Sequence, residues 1–138
     1  MALLVLDEQL ANPRLVAALR DRGIEVETVG DYGVTGRADP DVVRYVDDQA
    51  SQAWVFVTMD LTIVEDFPGF DWTRYAIAWV RIHEELRGAR VEQEKTEIVH
   101  RHAHSIREQT RGDHHTYTAT RHFKSRPSLT TMLRRRGR

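Results

Sequence analysis

ALLVLDEQL, residues 2–10, is the stretch on which the reading of the fold turns. Ala2 to Leu6 is a short, unbroken apolar run that stops at Asp7. A run of that length without alternation fits a strand covered on both faces, as the strands of a parallel sheet are. Such a strand needs helices to cover it, and the chain supplies one at once. Asn12 stands before Pro13 as a helix cap, Leu15, Val16, Ala18 and Leu19 follow at helical spacing, and Gly23 sits where a C-terminal stop belongs. Ile24 to Val29 then alternates apolar and polar residues through Ile24, Val26 and Thr28 and reads as a second strand.

Further out the same grammar repeats. GDYGVTGRADP, residues 30–40, is a loop punctuated by Gly30, Gly33 and Gly36. Asp39 before Pro40 is a second cap-and-proline helix start, with Val42, Val43 and Val46 as the apolar stripe. WVFVT at 54–58 is a third buried strand, delivering Met59 and Asp60 at its exit. Strands alternating with helices of this length predict βαβ units, hence a three-layer α/β/α fold around a central parallel sheet. Beyond Pro68–Phe70, the spacing of Trp72, Tyr75, Ala76 and Trp79 predicts a helix over 72–80. Residues 81–111 have no proline and one glycine, Gly88, and predict helix in one or two pieces, while Thr116 to Phe123 reads as a strand. The expected organisation is a body over 1–90 and a helical, His-rich, basic extension over 91–138, packed on the body or lying beyond it.

Composition narrows the functions. A chain of 138 residues, 41% hydrophobic, supports one ordinary core. It has no cysteine, which excludes disulfides, thiolate–zinc sites and cysteine nucleophiles. No apolar run approaches the roughly 20 residues of a membrane span, and no basic stretch precedes an apolar core at the N-terminus. The expectation is a cytoplasmic protein without a membrane partner. The net charge of −1 conceals an asymmetry: residues 1–90 hold 16 acids and 9 bases, whereas residues 91–138 hold 5 acids and 11 bases. An acidic body with a basic tail suits a cation site beside a phosphate-binding surface, and equally a tail that solvates the chain end.

Asp7 and Asp60 directly follow predicted strands, and Asp39 opens the helix after the glycine-rich loop. Ligands of open parallel sheets bind beyond the carboxyl ends of the strands. Three acids meeting there repel one another unless a cation or bound protons offset their charge, and all-oxygen donors favour Mg²⁺ or Mn²⁺. Asp39 is also a helix cap, and an Asp after a strand is a common turn residue.

The order of these motifs resembles the PIN-like nuclease family. LLVLDEQL (3–10) looks like that family's first-strand motif, in which the Asp of a Leu-Asp-Glu-Asn type string is a metal ligand. RLVAALRDRGIEVETV (14–29) is similar to the helix and strand that follow it, ADPDVV (38–43) to its acidic helix start, and VFVTMD (55–60) to its third-strand exit. The likeness spans about residues 2–85. It implies a Mg²⁺- or Mn²⁺-dependent ribonuclease fold, commonly used by VapC-type toxins of bacterial toxin–antitoxin pairs. Asp7, Asp39 and Asp60 become the implied metal ligands and catalytic residues. Glu8 and Thr58 become outer partners. Thr62 stands where a further Asp is common and Gln9 where an Asn is, so Asp66 is the candidate replacement carboxylate.

Arg107, Arg111, Arg121, Lys124, Arg126, Arg134, Arg135 and Arg136 could track an RNA backbone, with Tyr117 and Phe123 among them either to stack on bases or to form the inner face of a strand. On a helix His100 and His104 share a face and His102 points away, so at most one pair chelates, and a solvent-facing polar helix is the simpler reading. Two functions remain in play: a metal-dependent endoribonuclease with an RNA substrate, a cognate antitoxin and a possible homodimeric state, or a catalytically weak PIN-like module that binds RNA or protein. An aspartyl-nucleophile enzyme would need a later-strand lysine, and Lys95 and Lys124 suit that poorly.

Overall fold

A computed structural model describes residues 1–124. Strands β1 (Leu3–Leu6), β2 (Val26–Thr28), β3 (Trp54–Thr58), β4 (Ala76–Val80), β5 (His114–Tyr117) and β6 (His122–Lys124) form one sheet in the order β2-β1-β3-β4-β5-β6. The first five run parallel, and β6 returns antiparallel to β5. Helices α1 (Pro13–Asp21), α2 (Asp39–Gln49), α3 (Ile63–Asp66) and α4 (Ala89–Arg107) occupy the connections. Among the described residues no helix is long and apolar enough to cross a membrane.

The three layers follow from the two-residue period of the strands. Leu4, Leu6, Val55, Val57, Ala76 and Ala78 point to one side, where Leu15 and Leu19 of α1 and Ile98, Val99 and Ile106 of α4 close over them. Leu3, Val5, Phe56 and Ile77 point to the other, against Val42, Val43 and Val46 of α2 and Ile63 of α3. Every residue of β1, β3 and β4 is buried, which is why these strands read as continuous apolar runs. Burial of each such large side chain contributes about 1.5–3 kcal/mol.

The region after residue 70 departs from the spacing. Residues 72–80 are not a helix: Trp72–Arg74 is a single 3₁₀ turn and Ala76–Val80 is a strand. The apparent helical stripe mixes the two, and AIAWV is a run whose both faces are needed to fill the sheet between β3 and β5. Residues 81–88 are a loop, and α4 begins only after Gly88, held at φ 61. The strand foreseen over 116–123 is a tight hairpin of β5 and β6.

Up to residue 124 the extension that follows residue 90 packs on the body. Ile98, Val99, Ala103, Ile106 and Tyr117 belong to the same buried cluster as Leu4 and Leu6. Through residue 124 the basic segment is part of the body. Arg126, Arg134, Arg135 and Arg136 lie outside the described residues.

Candidate functional site

The strand order reverses between β1 and β3: the chain goes outward from β1 to β2, then back to the other side of β1. Connections above and below the sheet diverge at such a point and leave a crevice beyond the strand ends. Asp7 and Asp60 leave β1 and β3 on that edge, and α2 starts there with Asp39. An open cleft of about 530 Å³ is walled by Asp7, Glu8, Asp39 and Asp60, together with Met59 and Leu61 on either side of Asp60 in the chain.

One hydroxyl joins two of the acids. Thr58, fully buried at the end of β3, donates to Asp7 Oδ2 at 2.8 Å and accepts from the Asp60 backbone N–H at 3.1 Å. Asp7 Oδ1 accepts from the Glu8 N–H at 2.8 Å, so both its oxygens are oriented. Asp60 is held from two sides: its carbonyl accepts from the Trp79 indole at 2.7 Å, and its Oδ1 receives the Thr62 N–H at 3.2 Å. The Thr62 hydroxyl lies between Asp60 Oδ1 (3.1 Å) and Asp66 Oδ2 (2.9 Å), tying Asp66 to the group. Thr62, standing where a further acid was expected, thus links two carboxylates.

Asp39 corrects the sequence reading in a way that matters chemically. Ala38, not Asp39, is the cap of α2; Asp39 is the first helical residue, and the helix start has no side-chain capping bond. Its carboxyl instead meets those of Asp7 and Asp60. Burial first, then the Asp7 and Asp60 charges, a hydrogen bond to Asp60 and the Asp66 charge push it up to about 6. Asp7 is also raised, chiefly by burial, while its bonds from Thr58 and Glu8 pull the other way. Among the residues lining the cleft none is basic. Glu8 turns outward, where its Oε1 accepts from the Gly36 N–H at 2.5 Å and pins the loop before α2. Gly36 has φ 83, a left-handed conformation that side chains resist.

The donors fit a hard divalent cation in charge and type: clustered carboxylates, raised affinity for protons, and no internal cation. Among the described residues, no three His, Asp or Glu side chains already stand as a ready-made metal cage. The fit is therefore one of chemistry, with the closing of a coordination shell left to the ion.

The basic residues divide. Arg107 lies at the opposite, amino edge of the sheet, where its carbonyl accepts from Ala2 N–H at 3.0 Å. Arg111 binds Asp47 at 2.9 Å and the Arg74 carbonyl, also away from the acids. Lys124 pairs across from His115 near the start of β5. Arg121, in the turn after β5, shares the carboxyl edge. Lys95 is buried against the Gln9 carbonyl (2.5 Å) and Glu92, on α4 rather than at a strand end.

The five histidines at 100, 102, 104, 114 and 115 do not converge on one site. His100 and His104 are exposed on α4, while His102 Nε2 meets the Thr118 carbonyl at 2.8 Å. His114 turns to the Trp72 carbonyl and stands edge-on to Trp79. His115 Nδ1 and His122 Nε2 are 3.0 Å apart across the hairpin, and burial with the neighbouring His122 lowers the His115 pKa. Tyr117 is buried, with its hydroxyl donating to Gln109 at 2.7 Å, so it is a core residue and no base platform. Trp79, whose indole holds the Asp60 carbonyl, is a neighbour of the candidate site that sequence reasoning missed; its place as the fourth of five residues in AIAWV was the available signal.

No family model matches the chain, and no curated protein or solved structure matches it.

Proposed function

We propose that this protein is a metal-dependent endoribonuclease acting at the carboxylate cleft beyond β1 and β3, in the role of a toxin with a cognate antitoxin. One observation carries the reading: carboxyls from two strand exits and one helix start gather at the switch point, with Asp39 raised to about 6 by burial and then by its acidic neighbours. The ordered resemblance of residues 2–85 to PIN-like nucleases supplies the substrate class. Mg²⁺ or Mn²⁺, when bound, supplies charge neutralisation and Lewis acidity at a phosphodiester.

The chain's own residues then have separate tasks. Asp7 and Asp60 present oxygens whose directions are set by Thr58, the Glu8 N–H and Thr62. Trp79 fixes the backbone of Asp60 from behind. Asp39 keeps its proton up to about pH 6 without a cation, and a cation joining the cluster would favour the ionised form. Asp66, through Thr62, adds negative charge at the rim.

The test is cleavage of a short single-stranded RNA by purified protein in Mn²⁺. Activity should vanish with EDTA and in Asp7→Asn and Asp60→Asn, each still folded by circular dichroism. Cleavage that survives all three overturns the proposal.

Thr62, a hydroxyl where a further carboxylate is common in the family resembled, favours a second reading, a non-enzymatic RNA- or protein-binding module. It predicts RNA affinity that is unchanged by EDTA and by Asp7→Asn, without cleavage. A truncation that asks whether the tail binds must fall after Lys124, because a cut at Arg107 removes β5 and β6 from the sheet.

A further inference from the structure

We propose that a groove continuing from the carboxylate cleft past the ends of β4 and β5 receives the unpaired base of the nucleotide next to the scissile phosphate. This inference rests on the ribonuclease reading and names the part of the RNA that the site selects. Met59 and Leu61 line both the acidic cleft and a second, larger one of about 830 Å³, so the two adjoin along one edge of the sheet. That volume falls within the roughly 300–1,000 Å³ of small-molecule pockets, enough for a nucleoside.

The chemistry of the walls selects a base over a phosphate. Leu61 is 45% exposed although large and apolar, and it stands on the shared wall of a groove that Ile82 also lines. A solvated leucine at that place offers a flat base an apolar surface without disturbing the core. Arg81 and Arg121 are balanced by Glu84 and Glu94 around the same groove. A groove of balanced charge gains little from a polyanionic backbone, whereas its paired donors and acceptors match the edges of a neutral heterocycle. The rim is built by backbone bonds, Arg81 N–H to Tyr117 (3.0 Å) and Thr118 N–H to Arg121 (2.8 Å), so the groove is part of the sheet edge. A base seated there is unstacked, which requires a single strand.

The experiment is an abasic scan: RNA 8-mers with one nucleotide at a time lacking its base, tested on wild type and Leu61→Ala. One position beside the cleaved bond should lose about tenfold in kcat/KM with wild type, and that penalty should disappear in Leu61→Ala. A scan that is flat for wild type, or a penalty undiminished in Leu61→Ala, overturns the groove while Asp7-dependent cleavage still stands. If RNA binds without being cleaved, the same scan is read by fluorescence anisotropy with the same two outcomes. Absence of both cleavage and binding overturns the ribonuclease reading and the groove together.

Discussion

Two regions of this molecule are rich in residues that do chemistry, and only one of them assembles a candidate site. The acids Asp7, Asp39 and Asp60 are 53 positions apart from first to last and meet in a single cleft. The histidines at 100, 102, 104, 114 and 115 are neighbours in sequence and scatter over helix α4 and both faces of β5. Closeness along the chain is a poor guide to convergence on a helix or a strand, because the backbone turns successive side chains to different sides. Strand exits in a parallel sheet behave oppositely: the topology brings them to one edge regardless of sequence distance.

The comparison can be broken most directly at the acids. Asp7→Asn or Asp60→Asn should lower RNA cleavage by about 100-fold or more, since a carboxylate donor is lost where negative charge is required. Single-turnover assays in Mn²⁺ measure this, and the melting temperature should not fall, because a repulsive charge has been removed. Comparable activity in either variant would place the acids on the same footing as the histidines.

A smaller effect is expected at the residue that joins the acids. Thr58→Val keeps the shape of a buried strand residue but removes the donor to Asp7 and the acceptor for the Asp60 N–H. We expect a loss of about tenfold in kcat/KM, and about 1–3 kcal/mol of stability from polar groups left unpaired, read by urea denaturation. Full activity in this variant would show that Asp7 orients itself without help.

Asp39 gives a pH signature in cation-free protein. Its folded pKa of about 6 lies above the ordinary 3.8, so between those values the folded state binds more protons than the unfolded chain. Its contribution is therefore most favourable below about pH 4 and is lost as pH rises through 6. Asp39→Asn should remove that loss and raise stability at pH 7.5 by on the order of 1 kcal/mol, solvent screening of a half-exposed group reducing the effect. Thermal melts in EDTA at pH 4 and pH 7.5 check the sign, and a variant less stable at pH 7.5 would contradict it.

The smallest effects belong to the histidines. His104→Ala, at an exposed position of α4, should leave cleavage within twofold and stability within about 0.5 kcal/mol. Loss of cleavage in this variant would restore the histidine region as part of the site.

The α/β character of the first 60 residues is legible in the sequence because its signals are local. LLVL and WVFVT are apolar on both faces and fit strands, and Asn12–Pro13 caps and starts a helix as its chemistry dictates. Legibility fails where one pattern serves two structures. AIAWV satisfies the spacing of a helix with its neighbours and the composition of a strand, and nothing local distinguishes them. The decision came from the sheet, in which β4 lies between β3 and β5 with both its faces buried. How the basic segment packs was open for a related reason: its charges are on the surface, while Ile98, Val99, Ile106 and Tyr117 are spaced widely enough to resemble a thin stripe.

For the site, the sequence by itself determined which atoms are on offer: carboxylates at two strand exits and one helix start, and no cysteine to compete with them. Whether those carboxylates act together was decided only by the tertiary structure. The strand order puts β1 beside β3, one buried threonine hydroxyl spans them, and α2 begins with Asp39 turned inward instead of capping its own helix. Charge repulsion is a property of distance, and distance between residues 7, 39 and 60 exists only in the folded chain.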